Sequence, residues 1–509
     1  MLVFFSDSLV GISPHPSDEG VMKTLLLFSC VLFLSLSASA KRSPAGADLE
    51  PPQLSNPLKD TEEILRDVKD PLFPTSCVSY LSKLEKGIDE FDVKKFSLSQ
   101  LSAEAEKIAE NSWKIRQHVH HSLDQLTPEC VEKVQTTFRQ LRFVEDYFLE
   151  IGRKIVHQKP SEIDFLKQEF FPIRDTSPAY FHFQGQGEFK SGDLFISRGL
   201  SFLSAMIARL GKRPTQFSHV VSLYEDPQEK KIKTIESYVG VGVSFYDLDY
   251  ALKNENGRIL WLRSKDEKLG ERAVSLMGAF VKERLDKKNP IKYDYDLDFK
   301  DHTTMSCAEV SQAAFQMASD GEFTIPFYPN EIVKGEGLIK RLNLVRGKTF
   351  EPGDMEIDPR FTLIGEFRDL RVTRDQRQKD AIMSAIFKWM DEHQYELKDN
   401  FKAKMAGGMI HKVRKTFLWP VVKKMLKLED FSKEIPSRML KTMSLINDLG
   451  EGILVELKKR DDTHLKEFGI PMTHIDLSKE LDKMRDEDLK TFENKKLKKT
   501  AFIHNLLRK

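Results

Sequence analysis

Between Asp193 and Leu262 the chain carries five short runs rich in β-branched and aromatic residues, while the stretches on both sides repeat their apolar positions at helical spacing. This change of period constrains the fold most, because a run alternating every second residue and one recurring every three or four cannot exchange places. The runs are Asp193 to Ser197, Phe217 to Tyr224, Lys231 to Tyr238, Val241 to Tyr246 and Arg258 to Leu262, separated by Gly, Pro and charged turns. They predict a small antiparallel sheet in an α+β protein. Between the first two runs, Leu200, Phe202, Leu203, Ala205, Met206, Ile207 and Leu210 form an apolar helical segment ending at Gly211, placed to cover a cleft. Leu269 to Leu285 and Cys307 to Ala318 predict two further helices.

On the N-terminal side, Leu123, Leu126, Val131, Val134, Phe138, Leu141, Val144 and Phe148 mark a helical hairpin or small bundle from about Ser76 to His157. Beyond about Asp358 long Lys- and Glu-rich patterns with Leu, Ile, Met and Phe stripes predict ordinary packed helices. At 509 residues the chain exceeds what one core usually organises, and 40% hydrophobic residues are enough to build two or three. The expected division is a leader and signal peptide over 1–40, a linker rich in Pro, Ser, Asp and Glu over 41–75, a helical domain over 76–178, a catalytic core over 179–345 and a C-terminal helical region over 346–509.

The leader reads as an export signal: Met22-Lys23, then the apolar run Leu25 to Leu36, then Ala38-Ser39-Ala40 with cleavage after Ala40. Met1 to Val21 carries Asp, Pro and His ahead of that signal and reads as a start codon set too early. A periplasmic or secreted protein is the expectation. No later segment approaches the ~18 apolar residues of a membrane span, so none is expected in the mature protein. Lys plus Arg (79) and Asp plus Glu (78) nearly cancel, which leaves no basic field for nucleic acid. Without the leader the cysteines are Cys77, Cys130 and Cys307. In an oxidising compartment Cys77 and Cys130, both in the first helical region, are expected to pair and leave Cys307 free, the alternative being two unpaired buried thiols.

Cys307 opens a helix, since Thr303 to Ser306 before it are mostly cap-type residues and Ala308, Val310, Ala313, Ala314, Phe315 and Met317 after it keep helical spacing. Aligned backbone dipoles and unpaired N–H groups there favour a negative charge and supply oxyanion donors. A cysteine on the apolar side of a helix is otherwise a packing residue. Among the histidines, only His219 lies inside a strand-like run, Phe217-Ser218-His219-Val220-Val221, where an imidazole needs a partner. If Asp226-Pro227-Gln228-Glu229 is the turn of a hairpin, Glu225 faces Lys230 and His219 lies directly opposite Glu236. A one-residue slip would send Glu236 to the other face. Nucleophile, base and orienter are thus assigned to Cys307, His219 and Glu236, against a bland reading of Glu236 as a surface charge and His219 as a structural ring.

These residues resemble the permuted papain-like enzymes of the YaeF/YiiX type, relatives of the NlpC-type cell-wall peptidases. The resemblance runs from about Ser191 to Phe327 and rests on Gly192-Asp193-Leu194, Phe217-Ser218-His219-Val220, Ile235-Glu236-Ser237 leading into Val241-Gly242-Val243, Tyr293-Asp294-Tyr295 and Ser306-Cys307-Ala308-Glu309-Val310. It implies a Cys-His-Glu triad on a papain-like core with histidine preceding cysteine, and substrate contacts from Tyr293, Tyr295 and Ser218. Where family members often show Tyr-Cys-Ser-Glu, this chain has Ser306-Cys307-Ala308-Glu309, which puts the flanking hydroxyls in doubt. Tyr293 and Tyr295 are equally readable as core aromatics with a polar tip. Asp294, Asp296, Asp298, Asp301 and His302 match neither a calcium loop with a central Gly nor zinc-ligand spacing, so no metal or other cofactor is expected. The expected activity is thiol-dependent amide hydrolysis, with peptidoglycan peptides within reach of an exported enzyme. A lipid ester or acyl group handled by the same core is the runner-up, and a non-catalytic scaffold the reading from another class.

Overall fold

The computed structural model describes residues 56–154, 169–172, 181–182, 189–253, 256–297, 299, 302–344, 347–399 and 435–509. The leader, residues 41–55 of the expected linker, Asp298 and Asp301 lie outside them. Leu49–Lys509 form one compact unit.

The expected linker is a helix in its second half: α1 spans Pro57–Asp67. Pro57 occupies the first helical position, where a missing N–H costs nothing, and the Asn56 side chain accepts from Lys59 N at 2.9 Å. Ile64 and Val68 then bury against Phe73, Tyr80 and Leu81. Proline there starts a helix rather than interrupting one. Helices α2 (Phe73–Glu90), α3 (Leu98–His121) and α4 (Pro128–Gly152) complete the bundle. Ser97 caps α3 and Thr127 caps α4. Cys77 on α2 and Cys130 at the start of α4 are joined as a disulfide with Cα atoms 5.9 Å apart, and Cys307 is free.

The sheet has eight strands, every pairing antiparallel, in the order β2-β1-β10-β7-β3-β4-β5-β6. The five runs become β3 (Leu194–Gly199), β4 (His219–Glu225), β5 (Ile232–Tyr238), β6 (Gly242–Asp247) and β7 (Asn256–Ser264). Strands β1 (Glu169–Pro172) and β2 (Phe181–His182) extend one edge, and β8 (Asn330–Ile332) pairs with β9 (Gly347–Thr349) apart from it. One face carries Leu194, Ile196, Val220, Ile235, Leu260 and Leu262 and packs against Ala273, Val274, Met277, Val281, Val310, Ala313, Ala314 and Phe315 of two helices. These are α7 (Glu267–Asp286), which follows α5 (Phe202–Ile207) and α6 (Leu248–Lys253), and α8 (Cys307–Ala318).

Strand β10 (Phe361–Arg368) lies where the sequence predicts only helices, and it pairs with β7 from Phe361↔Ser264 to Arg368↔Arg258. Its charges hid it. Glu366 and Arg368 read as solvated residues, yet they are 0% and 1% exposed and belong to a buried ionic cluster. Arg116 of α3 holds Glu145 of α4 through two bonds of 2.9 Å and Glu366 through one of 2.6 Å. Arg258 of β7 reaches Asp146 at 2.5 Å and also pairs with Glu366, and Arg368 reaches Glu145 at 2.5 Å. Burial alone would raise the Glu366 pKa, but Arg116, Arg258 and Arg368 outweigh it and hold the carboxyl well below its ordinary value. The cluster ties the bundle to the sheet.

The C-terminal part adds α9 (Glu336–Leu342), α10 (Thr373–His393), α11 (Ser437–Phe468), α12 (His474–Glu493) and α13 (Phe502–Leu506). Their apolar stripes share one core with Phe202, Ala205 and Met206 of α5. Among the described residues no helix is long and apolar enough to cross a membrane.

Candidate active site

His219 opens β4, paired with Ser197 of β3. The neighbouring hairpin differs from the expected one by one residue in its turn. Asp226 closes the ladder by donating from its N–H to Lys231 O at 2.9 Å, and its carboxylate accepts from Gln228 N (2.8 Å) and Glu229 N (3.1 Å). Lys230 takes a left-handed φ of 55°. The four-residue loop is therefore Pro227 to Lys230, and Asp226, satisfied by its own turn, pairs with Lys231 just past the end of β4. The register becomes Glu225↔Ile232 through Ser222↔Ile235. Continued to the end of β4, it sets His219 opposite Tyr238 rather than opposite Glu236.

This correction of two residues keeps Glu236 on the same face, because side chains alternate with a period of two. Glu236 reaches His219 diagonally, Nε2 to Oε2 2.8 Å, while the Tyr238 ring stacks on the imidazole at 4.8 Å between centroids. Glu236 is 0% exposed and also accepts from Tyr238 Oη at 2.7 Å and Thr234 Oγ1 at 2.5 Å. Thr234, Glu236 and Tyr238 are alternate residues of one strand. Sequence reasoning missed Thr234 and Tyr238, although their spacing of two from Glu236 was the available signal.

Cys307 is the first residue of α8, 8% exposed. Ser306 caps the helix, and its N–H donates to Glu309 Oε2 at 2.6 Å in a capping box. Two bonds place this helix start against the strands: Ser237 Oγ donates to Met305 O at 2.6 Å, and Ser222 Oγ meets Ser311 Oγ at 2.8 Å. The carboxylate of Glu236 bonds the His219 ring, and the thiol of Cys307 acts on the same imidazole by favouring its charged form. With Nε2 taken by Glu236, Nδ1 is the ring nitrogen left for sulfur. Burial lowers the His219 pKa, but hydrogen bonds and charge from Cys307 and Glu236 prevail and raise it from 6.5 to about 10. The ring therefore holds a proton between two acidic partners at neutral pH.

Tyr293 and Tyr295 lie with ring centroids 5.1 Å apart. Burial first, then the charge of Cys307, pushes the Tyr293 hydroxyl well above its ordinary pKa of 10, so it keeps its proton. Burial, helped by Asp294, raises Glu309 to about 7. Ser218 is buried, 6% exposed, with its hydroxyl 2.5 Å from Ser204 Oγ and 3.4 Å from Ser197 O, tying α5 to the sheet. The Gly192-Asp193 motif is likewise structural. A Cβ on Gly192 would stand 2.4 Å from the Gly270 carbonyl carbon, and Asp193 accepts from Trp261 Nε1 (2.8 Å) and Arg263 Nε (2.6 Å). Among the described residues no group of His, Cys, Asp and Glu is placed to hold a metal ion.

The site thus unites a thiol at a helix start, an imidazole and a buried carboxylate, the set that nucleophilic acyl transfer needs. No family model, curated protein or solved structure matches this chain.

Proposed function

We propose that the chain is an exported cysteine hydrolase or acyltransferase built on a permuted papain-like core, with Cys307 as nucleophile, His219 as base and Glu236 as orienter. The observation that carries this reading is the 2.8 Å bond from His219 to a fully buried Glu236, made by an imidazole whose charged form the thiol of Cys307 also favours. A carboxylate in that position fixes the ring tautomer and stabilises the imidazolium, as in other nucleophile–base–orienter sets. Sulfur attacks a carbonyl carbon, and N–H groups of the first turn of α8 stabilise the oxyanion. The leaving amine or alcohol takes the proton from His219, and water then resolves the thioester. A helix bearing the cysteine at its start and packed on an antiparallel sheet, with histidine earlier in the chain, supports the permuted papain-like reading.

Two acyl donors suit this chemistry: a cell-wall peptide amide, which export would bring within reach, and a lipid acyl ester. Labelling with an iodoacetamide probe tests the reading against a scaffold. Selective modification of Cys307 near neutral pH, lost in His219→Ala, is expected; modification no faster than that of an ordinary thiol would sink it.

A further inference from the structure

The helical bundle holds a cavity of about 860 Å³, its mouth included, between α1, α2, α4 and the start of α12. None of its lining residues belongs to the thiol site. Ile64, Ile108, Leu141 and Phe148 are buried in its wall, while Ile88, Phe91 and Val144 are half-buried at its mouth. Phe143 also lines it and stacks on the ring of His474, with centroids 4.3 Å apart and an interplanar angle of 15°. The polar groups of the wall are unevenly committed. Tyr147 Oη donates to Pro471 O (3.0 Å), Thr61 Oγ1 to Leu58 O (2.9 Å) and Thr473 Oγ1 to Asp476 Oδ2 (2.9 Å), so these hydroxyl protons are spent. Gln140, 8% exposed, donates from Nε2 to Asp89 Oδ1 at 3.1 Å, the orientation that a carboxylate partner requires. Its Oε1 is thereby left buried without a partner among the described residues, and so is His474 Nδ1.

We propose that this cavity is a ligand site separate from the thiol site, taking a neutral, planar aromatic molecule that donates a hydrogen bond, of the indole class. A volume of this size falls within the ~300–1,000 Å³ of small-molecule sites. Gln140 Oε1 and His474 Nδ1 each carry the cost of a buried polar atom left unpaired, and a donor on the ligand removes it. The imidazole can accept because it is neutral, burial holding its pKa down to about 3. Phe91, Phe143, Tyr147 and Phe148 offer ring faces and edges to an aromatic guest, as Phe143 already does to His474. Anions fit poorly. The described lining includes Asp60 and Asp89 but neither Lys nor Arg, so a carboxylate would meet like charge and spent donors.

Titration calorimetry of the full chain with indole, its hydrocarbon analogue indene and benzoate tests this. Indole should bind with a Kd below about 1 mM and about tenfold tighter than indene, because only indole brings an N–H to the unpaired acceptors. Benzoate should bind at least about tenfold more weakly than indole. Ile88→Trp, which fills the half-buried mouth, should remove indole binding, and Gln140→Met should lower indole to the affinity of indene. Cys307→Ala should bind indole as wild type does, since the site is independent of the thiol. No binding of indole by wild type at millimolar concentration, or undiminished binding in Ile88→Trp, would overturn the site. Equal wild-type affinities for indole and indene would overturn the donor chemistry assigned to it. Loss of indole binding in Cys307→Ala would move the indole to the thiol site and overturn the proposal too. The three-compound comparison on wild type decides the matter even where a variant does not fold.

Discussion

Glu236 of β5 meets the imidazole of His219 of β4, Nε2 to Oε2 2.8 Å, with the Tyr238 ring stacked on that imidazole. Because the carboxylate is 0% exposed, its charge acts on the ring with little screening by water. Replacing it by an amide should therefore be felt both in the titration of the ring and in the reaction. In Glu236→Gln the His219 pKa should fall from about 10 towards 6.5, read from the ring proton shifts by NMR. The rate of Cys307 acylation should drop by roughly 10²- to 10⁴-fold. An unchanged His219 titration would show that Glu236 does not set the charge of the ring.

The sign of the His219 shift also predicts a pH dependence of stability. Its folded pKa is raised, so the stabilisation from its two partners is complete below about 6.5 and is lost only as pH rises through about 10. Urea unfolding of wild type and His219→Gln should differ most near pH 6 and converge as pH rises through about 10. Glu309, raised from 4.5 to about 7, behaves in the opposite sense to an ordinary paired carboxylate: its favourable neutral form is present below about 4.5 and is lost as pH rises through about 7. Glu309→Gln should flatten that part of the stability profile.

Tyr238 separates two contributions that one residue makes. Tyr238→Phe keeps the ring on His219 but removes the 2.7 Å hydrogen bond to Glu236, a charge-assisted bond whose loss costs about 1.5–3 kcal/mol. Acylation of Cys307 should slow about tenfold, with a lowered His219 pKa as the signature of a positioning role. Tyr238→Leu, which removes the stack as well, should be slower still. Equal rates for Tyr238→Phe and wild type would assign the tyrosine to packing.

The disulfide closes a loop with a sequence separation of 53, for which chain entropy predicts about 4 kcal/mol of stabilisation. Cys77→Ala/Cys130→Ala should lower the denaturation midpoint accordingly without changing the rate at which Cys307 is alkylated. A peptide map of the unreduced protein should contain the crosslinked pair, and three free thiols among Cys77, Cys130 and Cys307 would rule it out.

Arg116 contacts Glu145 and Glu366 with both itself and Glu366 0% exposed. Arg116→Met should destabilise by about 3–5 kcal/mol, because it leaves two carboxylates buried without their main partner. Urea denaturation measures this. A loss below about 1 kcal/mol would mean that the remaining arginines compensate the cluster fully.

The amino-acid sequence by itself determined the elements whose signals are local. Period-two runs became β3 to β7, Ser306 ahead of Cys307 became the cap of a helix bounded as expected, and His219 and Glu236 stood out as polar residues in apolar strands. Tertiary structure decided what depends on partners far along the chain. The register of His219 against Tyr238 turned on whether Asp226 satisfied its turn from inside the loop or from the strand end, two arrangements with the same composition. Strand β10 was hidden because Glu366 and Arg368 lose their solvated character only when Arg116, Glu145 and Arg258 arrive from other elements. The helix of Pro57–Asp67 likewise exists through burial of Ile64 against the bundle. Short-range periodicity reports the face a residue presents; only long-range packing settles what that face meets, because a buried charge is stable solely where its counter-charges are delivered by the fold.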